Sequence, residues 1–122
     1  MARTRDESAE VSALLPLPPA TFHILLAVAD EPRHGYAISQ DIAARTSGAI
    51  KMSFGTLYRS IQRMLEQGLL EEVRERPVDG DDERRRYYRV TRFGTVVARA
   101  EVRRLAEMVR LAGATSFALK RG

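Results

Sequence analysis

The segment SFGTLYRSIQRMLEQGLLEE at residues 53–72, running on through VRERPVDGDDE to RRRYYRV at 84–90, decides how this chain folds. Residues 53–67 predict a helix. Leu57, Ile61, Met64 and Leu65 recur at helical spacing and share one face. Ser53 is a candidate N-cap and Gly68 a candidate stop. Arg59 and Arg63 fall on the opposite face, one turn apart. The period then changes. Residues 69–76, LLEEVRER, alternate with Leu69 and Val73 on one side and predict a strand. Residues 77–83, PVDGDDE, carry turn chemistry, and 84–90 a second strand with β-favouring Tyr87, Tyr88 and Val90. Two short strands around such a turn make a hairpin.

Upstream, residues 20–30, ATFHILLAVAD, predict a buried helix with Phe22, Leu25, Leu26 and Ala29 on one face. Pro19 suits its first turn and Pro32 follows its end. Residues 35–46 predict an amphipathic helix with Ile38 and Ile42 four apart and Gly48 as the C-terminal cap. Residues 1–17 read as a flexible arm, because Pro16, Pro18 and Pro19 interrupt any helix there. Downstream, Thr91 is a candidate N-cap for a helix over 92–112, and 113–122 reads as a frayed tail. Thr95, Ala98, Val102, Leu105, Val109 and Ala112 form a short heptad seam, widened by Val97, Met108 and Leu111.

The predicted fold class is therefore mainly α with a small β-hairpin. Helix, helix, helix, strand, turn, strand, helix is the order of a winged helix-turn-helix, here 18–91, followed by a C-terminal helix at 92–112. In that fold the third helix enters the DNA major groove and the hairpin reaches a neighbouring groove or the backbone. The outer face of 53–67 offers Thr56, Arg59, Gln62 and Arg63. Arg can bind guanine, and Gln adenine, with two hydrogen bonds each. Lys51, Ser53 and Tyr58 flank it as candidate phosphate contacts. Any solvated helix can carry such residues, so the neighbouring elements decide the reading.

Charge supports a polyanion partner. The chain has 20 basic and 16 acidic residues in 122, but they are unevenly spread. Residues 1–83 hold 9 bases and 14 acids, net −5, whereas 84–122 hold 11 bases and 2 acids, net +9. The tip of the hairpin is nonetheless acidic, with Asp79, Asp81, Asp82 and Glu83. Carboxylates repel phosphates, so Arg84, Arg85 and Arg86 on the returning strand are the expected backbone contacts. A winged helix that uses its third helix on a protein partner is the alternative, mildly favoured by the acidic tip.

Three stretches resemble the PadR-like family of transcriptional regulators. HGYAISQDI at 34–42 resembles the family's HGY-x-I segment, and 53–72 resembles its GTLY…L…L-x-x-G-L pattern. RRRYYRVTRFG at 84–94 resembles its R-x-x-Y-Y-x-L-T-x-x-G segment. The likeness runs from about residue 20 to 112. It implies a repressor, usually homodimeric, acting near its own or a neighbouring gene and often released from DNA by a small aromatic or other hydrophobic effector. The single C-terminal helix resembles the shorter branch of the family. The chain has no tryptophan, so stacking of flat drugs between tryptophans, as in some small members, is not available to it.

The remaining candidates divide between packing and binding. The Tyr36 hydroxyl and nearby helix amides can hold a phosphate; alternatively the ring packs on the third helix, with Gly35 giving a tight turn. Tyr58 is equally suited to the core or to a phosphate. Phe54 reads as core or as a helix staple, and His23 as core or interface. A helix of about 30 Å, at ~1.5 Å per residue, overshoots a small three-helix core. Self-association through Ala98, Val102, Leu105, Met108, Val109 and Ala112 is therefore expected. A two-fold dimer presents two recognition helices to a palindromic operator. Phe22 and Leu26, with Val102, Leu105, Met108 and Val109, are candidates for an effector cavity, although interface packing is the simpler reading.

No catalytic constellation is visible. With two histidines and no cysteine, neither a metal site nor a Ser-His-Asp triad is suggested, and no cofactor is expected. No apolar run reaches about 18 residues and the first ten residues lack an apolar core, so a cytoplasmic protein is expected.

Overall fold

The computed structural model describes residues 2–73 and 86–119, with side chains from residue 6 onward. In chain order the elements are α1 (Ala2–Leu14), α2 (Pro19–Ala27), β1 (Arg33–His34), α3 (Gly35–Arg45), α4 (Phe54–Glu66), β2 (Leu70–Val73), β3 (Tyr87–Val90) and α5 (Arg92–Gly113). The expected hairpin turn 77–83, the strand ends 74–76 and 84–85, and tail residues 120–122 lie outside the described residues. The chain divides into two compact units, residues 17–95 and residues 1–16 together with 96–122. The expected C-terminal boundary at 91/92 thus moves to 95/96, so the first turn of α5 belongs with the winged helix.

In the unit 17–95, α2, α3 and α4 enclose Ile24, Ile38, Ile42, Leu57, Ile61 and Met64, all essentially sealed from water. On α3 and α4 these are the apolar positions at helical spacing, so burial of one stripe drives the packing; on α2 the expected face of Phe22, Leu25, Leu26 and Ala29 is not the buried one, since Thr21, Ile24, Leu25 and Ala27 are buried, Phe22 and Leu26 half-buried and Ala29 exposed. Both α3 and α4 begin with a side-chain cap. His34 Nδ1 accepts from the Ala37 amide at 3.2 Å, and Ser53 Oγ accepts from the Thr56 amide at 3.2 Å. Both also end in the same doubly hydrogen-bonded reversal. After α4, Gly68 N donates to Leu65 O at 3.2 Å and Leu69 N to Met64 O at 2.9 Å, with Gly68 at φ +78°. After α3, Ser47 N donates to Ala44 O at 3.2 Å and Gly48 N to Ala43 O at 2.7 Å. There Ser47 itself adopts φ 52°, one residue earlier than the glycine expected to close the helix.

The sheet has three antiparallel strands in the order β1-β3-β2. Leu70 pairs with Val90 and Val73 with Tyr87, so the two expected strands are antiparallel neighbours over their described part. The two-residue β1, which the sequence does not suggest, pairs Arg33 with Tyr88 and His34 with Tyr87. A strand of two residues carries no periodicity to read. Thr91 then locks the corner after β3. Its amide donates to Leu69 O at 3.1 Å, and its hydroxyl donates to Gly68 O at 2.5 Å and accepts from Gly94 N at 2.9 Å. A Cβ at Gly94 would collide with the Leu69 carbonyl oxygen. The T-x-x-G stretch is therefore the latch between the end of α4 and the start of α5.

The other unit corrects the sequence reading. Residues 1–17 were expected to form a flexible arm, yet Ala2–Leu14 is helical. Proline restricts its own position and the residue before it, and the first proline is at 16. The helix upstream is therefore free to form, and Val11 on it is buried. Val11 and Leu15 line a groove with Val96 and Ala100. On α5, Glu101 is only 2% exposed, and its carboxylate takes both Arg104 Nε at 2.5 Å and a second guanidinium nitrogen at 3.0 Å. Among the described residues no single helix is long and apolar enough to cross a membrane.

Candidate nucleic-acid interface

α4 has a strict division of faces. Leu57, Ile61 and Met64 point inward, while Arg59, Gln62 and Arg63 are exposed and Thr56 is half-buried at the border. Thr56, Arg59, Ser60, Arg63 and Glu66 line a shallow groove of about 500 Å³ along the outer side. Three of the four residues expected to read bases, Thr56, Arg59 and Arg63, thus line one open groove, and Gln62 is exposed outside its lining. The Ser53 hydroxyl, expected near phosphate, serves as the helix cap and also donates to Thr56 Oγ1 at 3.1 Å. Lys51 is exposed just before it.

Ion pairs sort the cations of this unit. Arg89 Nε lies 2.7 Å from Glu71 and Arg86 Nε 3.5 Å from Glu72, both across the β2–β3 pair. Asp41 takes Arg45 at 2.6 Å and lies 3.7 Å from Arg33. Among the described residues, no carboxylate pairs with Arg59, Arg63 or Lys51. Exposed pairs are weak, about 0–1 kcal/mol, but a cation already facing a carboxylate offers less to a phosphate. Arg86 is exposed and so held, while Arg84 and Arg85, with the acidic tip, lie outside the described residues.

Three residues play parts the sequence did not reveal. Arg33 Nε donates to the Ala27 carbonyl at 2.7 Å while its other end reaches Glu31 at 3.1 Å. It therefore ties the end of α2 to β1 and to Asp41 on α3, which fixes the angle between the two helices ahead of α4. His34 caps α3 and meets Tyr87 edge-on, with ring centroids 5.3 Å apart. Gly35 lies under the Tyr58 phenol, where a Cβ would collide with the ring and hydroxyl. Its φ is not positive, so the glycine serves a close approach by α4 and not the tight turn considered from sequence. It is Tyr58, half-exposed, and not Tyr36 that uses this gap. Tyr36 is exposed in the first turn of α3. Phe54, expected in the core or as a staple, is 58% exposed and stands 6.5 Å from Tyr58, ring to ring. As the first residue of α4 it precedes the inward stripe.

The interface candidates fall in both units. Phe22 and Leu26 are half-buried on α2. On α5, Ala98 and Ala112 are half-buried, and Val102, Leu105, Met108 and Val109 are exposed, Val109 by 62%. Four large apolar side chains on one helix in water are costly, at about 25 cal/mol per Å² of apolar surface.

A model of the transcriptional regulator PadR-like family matches residues 24–100. An uncharacterized protein of Lysinibacillus sphaericus is 33% identical over 85 residues, 70% of this chain and 76% of that protein. Among solved structures, a transcriptional regulator from Clostridium thermocellum superposes with a TM-score of 0.66 at 22% identity, covering 80% of this chain and 89% of that one. A PadR family transcription regulator from Clostridium difficile gives 0.66 at 18% identity, covering 80% and 97%. At these identities the solved structures share the fold.

Proposed function

The chain belongs to the PadR-like family of transcriptional regulators, DNA-binding winged-helix proteins and not enzymes, and from that premise we propose that it is a homodimeric repressor of a palindromic operator. α4 reads base edges through Arg59, Gln62 and Arg63, with Thr56 at the border. Lys51 and Tyr36, with Tyr58 and the Arg84–Arg86 run, hold the phosphate backbone, and Ser53 presents the α4 N-terminus. The observation that carries this reading is the uncommitted state of Arg59 and Arg63. Both are exposed on one groove and neither is paired with a carboxylate among the described residues. Desolvating an already paired arginine costs its pair; these two have none to lose.

The dimer follows from the exposed apolar row on α5. A second copy covering Val102, Leu105, Met108 and Val109 removes that surface from water and duplicates α4 about a two-fold axis. Half-sites one helical turn apart are then expected. The same α5 residues remain candidates for contacting a small hydrophobic effector that releases DNA. The test is a gel shift with the protein's own upstream DNA. Wild type is expected to form a saturable complex that a scrambled competitor does not remove, and Arg59→Ala to lose it. Equal binding by Arg59→Ala would reject α4 as the reader.

A further inference from the structure

The α4 face leaves the basic end of the chain without a role. Residues 96–122 hold 6 basic and 2 acidic residues, and both acids are taken, Glu101 by Arg104 and Glu107 by Arg110. Arg99 and Arg103 are exposed on α5, and neither has a carboxylate partner among the described residues. We propose that this side of α5 seats the phosphate backbone of a second DNA segment, without regard to its sequence. The seat stands on its own residues and rests on the α4 reading only in that the operator is the first segment.

Three features converge on that chemistry. The first is alignment. Positions 99, 103, 106 and 110 follow at helical spacing and read Arg, Arg, Ala, Arg. Arg99 and Arg103 are separated by a rise of about 6 Å, roughly the span of two phosphates on one strand of a duplex. Arginine suits that partner, because its planar fork takes two phosphate oxygens at once. The second is what this side lacks. Apart from arginine the row holds only Ala106, so a protein partner finds no aromatic or long aliphatic anchor there. A nucleic-acid backbone needs none.

The third is place on the helix. At ~100° per residue, Arg103 lies about 160° around α5 from Leu105. A second copy over Val102, Leu105, Met108 and Val109 therefore leaves it open to solvent. Arg103 also lines the groove between α1 and α5, where the exposed Ser8 and Ser12 add hydroxyl donors beside it. Glu7 shares that rim, and its charge turns an approaching backbone toward the Arg99 side.

The test is binding of the whole chain to a scrambled duplex across a series of salt concentrations, read by fluorescence anisotropy. The double variant Arg99→Gln/Arg103→Gln should bind about tenfold more weakly at low salt. Its log–log salt slope should be shallower by roughly 1.8, about 0.9 for each lost phosphate contact, while the preference for operator over scrambled DNA persists. Arg99→Lys/Arg103→Lys, which keeps the charge, should recover most of the slope. In a second arm, immobilised operator duplex is saturated with protein and a labelled scrambled duplex is added. Wild type should retain the label and the Gln variant should not. A slope equal to that of wild type, or no retention by wild type, would overturn the proposal. So would poly-glutamate displacing the scrambled duplex as well as unlabelled DNA does at equal charge, since this side would then suit an acidic protein. A chain that binds scrambled duplex through Arg99 and Arg103 yet shows no operator preference would reject the α4 reading and leave this seat standing.

Discussion

α4 and α5 are both amphipathic helices with one buried stripe, and they differ in what they show to water. α4 presents Arg59, Gln62 and Arg63, whereas α5 presents Val102, Leu105, Met108 and Val109. On α4 the inward stripe is apolar and says only that the helix packs; on α5 the buried side chains are Val97 and the ion-paired Glu101. The outward faces carry the functional information, because nothing in the folding of one chain requires either of them. A polar, donor-rich face suits a hydrated polyanion, and an apolar face suits another apolar face.

The largest expected effect breaks the α5 side of this contrast. Leu105→Glu buries a charge in any α5–α5 contact and should yield monomers in sedimentation. Losing the second half-site contact should lower operator affinity by about 10²–10⁴-fold. A variant that still sediments as a dimer would move the interface off this face. On the α4 side, Arg59→Ala should cost on the order of 1–3 kcal/mol of sequence-specific affinity if it reads a guanine, with folding unchanged. The two variants sharpen each other: the first should change assembly and binding, the second binding alone.

A third prediction concerns the paired cations. Glu72→Gln releases Arg86 from its ion pair. Operator binding should tighten a few-fold, by about 0.5–1 kcal/mol, most visibly at low salt. Unchanged affinity at every salt concentration would mean that Arg86 does not reach the backbone. A smaller effect tests the ends of α3 and α4 against each other. The two share one capping geometry, but Ser47 holds φ 52° where α4 has Gly68 at φ +78°. Ser47→Gly should therefore stabilise, and Gly68→Ala destabilise, each by about 0.5–1 kcal/mol in denaturant titrations. Smallest is an alkaline effect. Because the folded-state pKa of Tyr88 is raised above 10.0, its contribution is complete below pH 10 and is lost as pH climbs through the folded value, where the unfolded chain ionises first. Tyr88→Phe should flatten that part of the stability profile.

What the sequence made legible follows from range. Helical periodicity identified the buried faces of α3 and α4, and the outward placement of Arg59, Gln62 and Arg63, because one face implies the other; on the short, apolar α2 it did not, since Ile24 and not Ala29 is buried. The change of period after Gly68 located β2 and β3. Residues that act across the fold were not legible. Arg33 binds a carbonyl on α2 and carboxylates on two segments, and Gly35 answers to a tyrosine 23 positions away. Neither requirement leaves a local pattern. Phe54 was expected inside because it is aromatic, but as the first residue of α4 it precedes the inward stripe. The helix at Ala2–Leu14 lies outside the expectation for 1–17 because Pro16, Pro18 and Pro19 restrict only their own positions and the residue before each.

The proposed function requires that the α4 face bind a defined DNA sequence as part of a two-fold assembly. The direct measurement is a titration of wild-type protein against its own upstream DNA and a scrambled duplex at two salt concentrations. A saturable complex at one palindrome, two chains per site, is expected. Its affinity should fall by roughly 0.9 log unit per neutralised phosphate per decade of salt, while the preference over scrambled DNA persists. Equal affinity for both duplexes, or no complex with either, would contradict it.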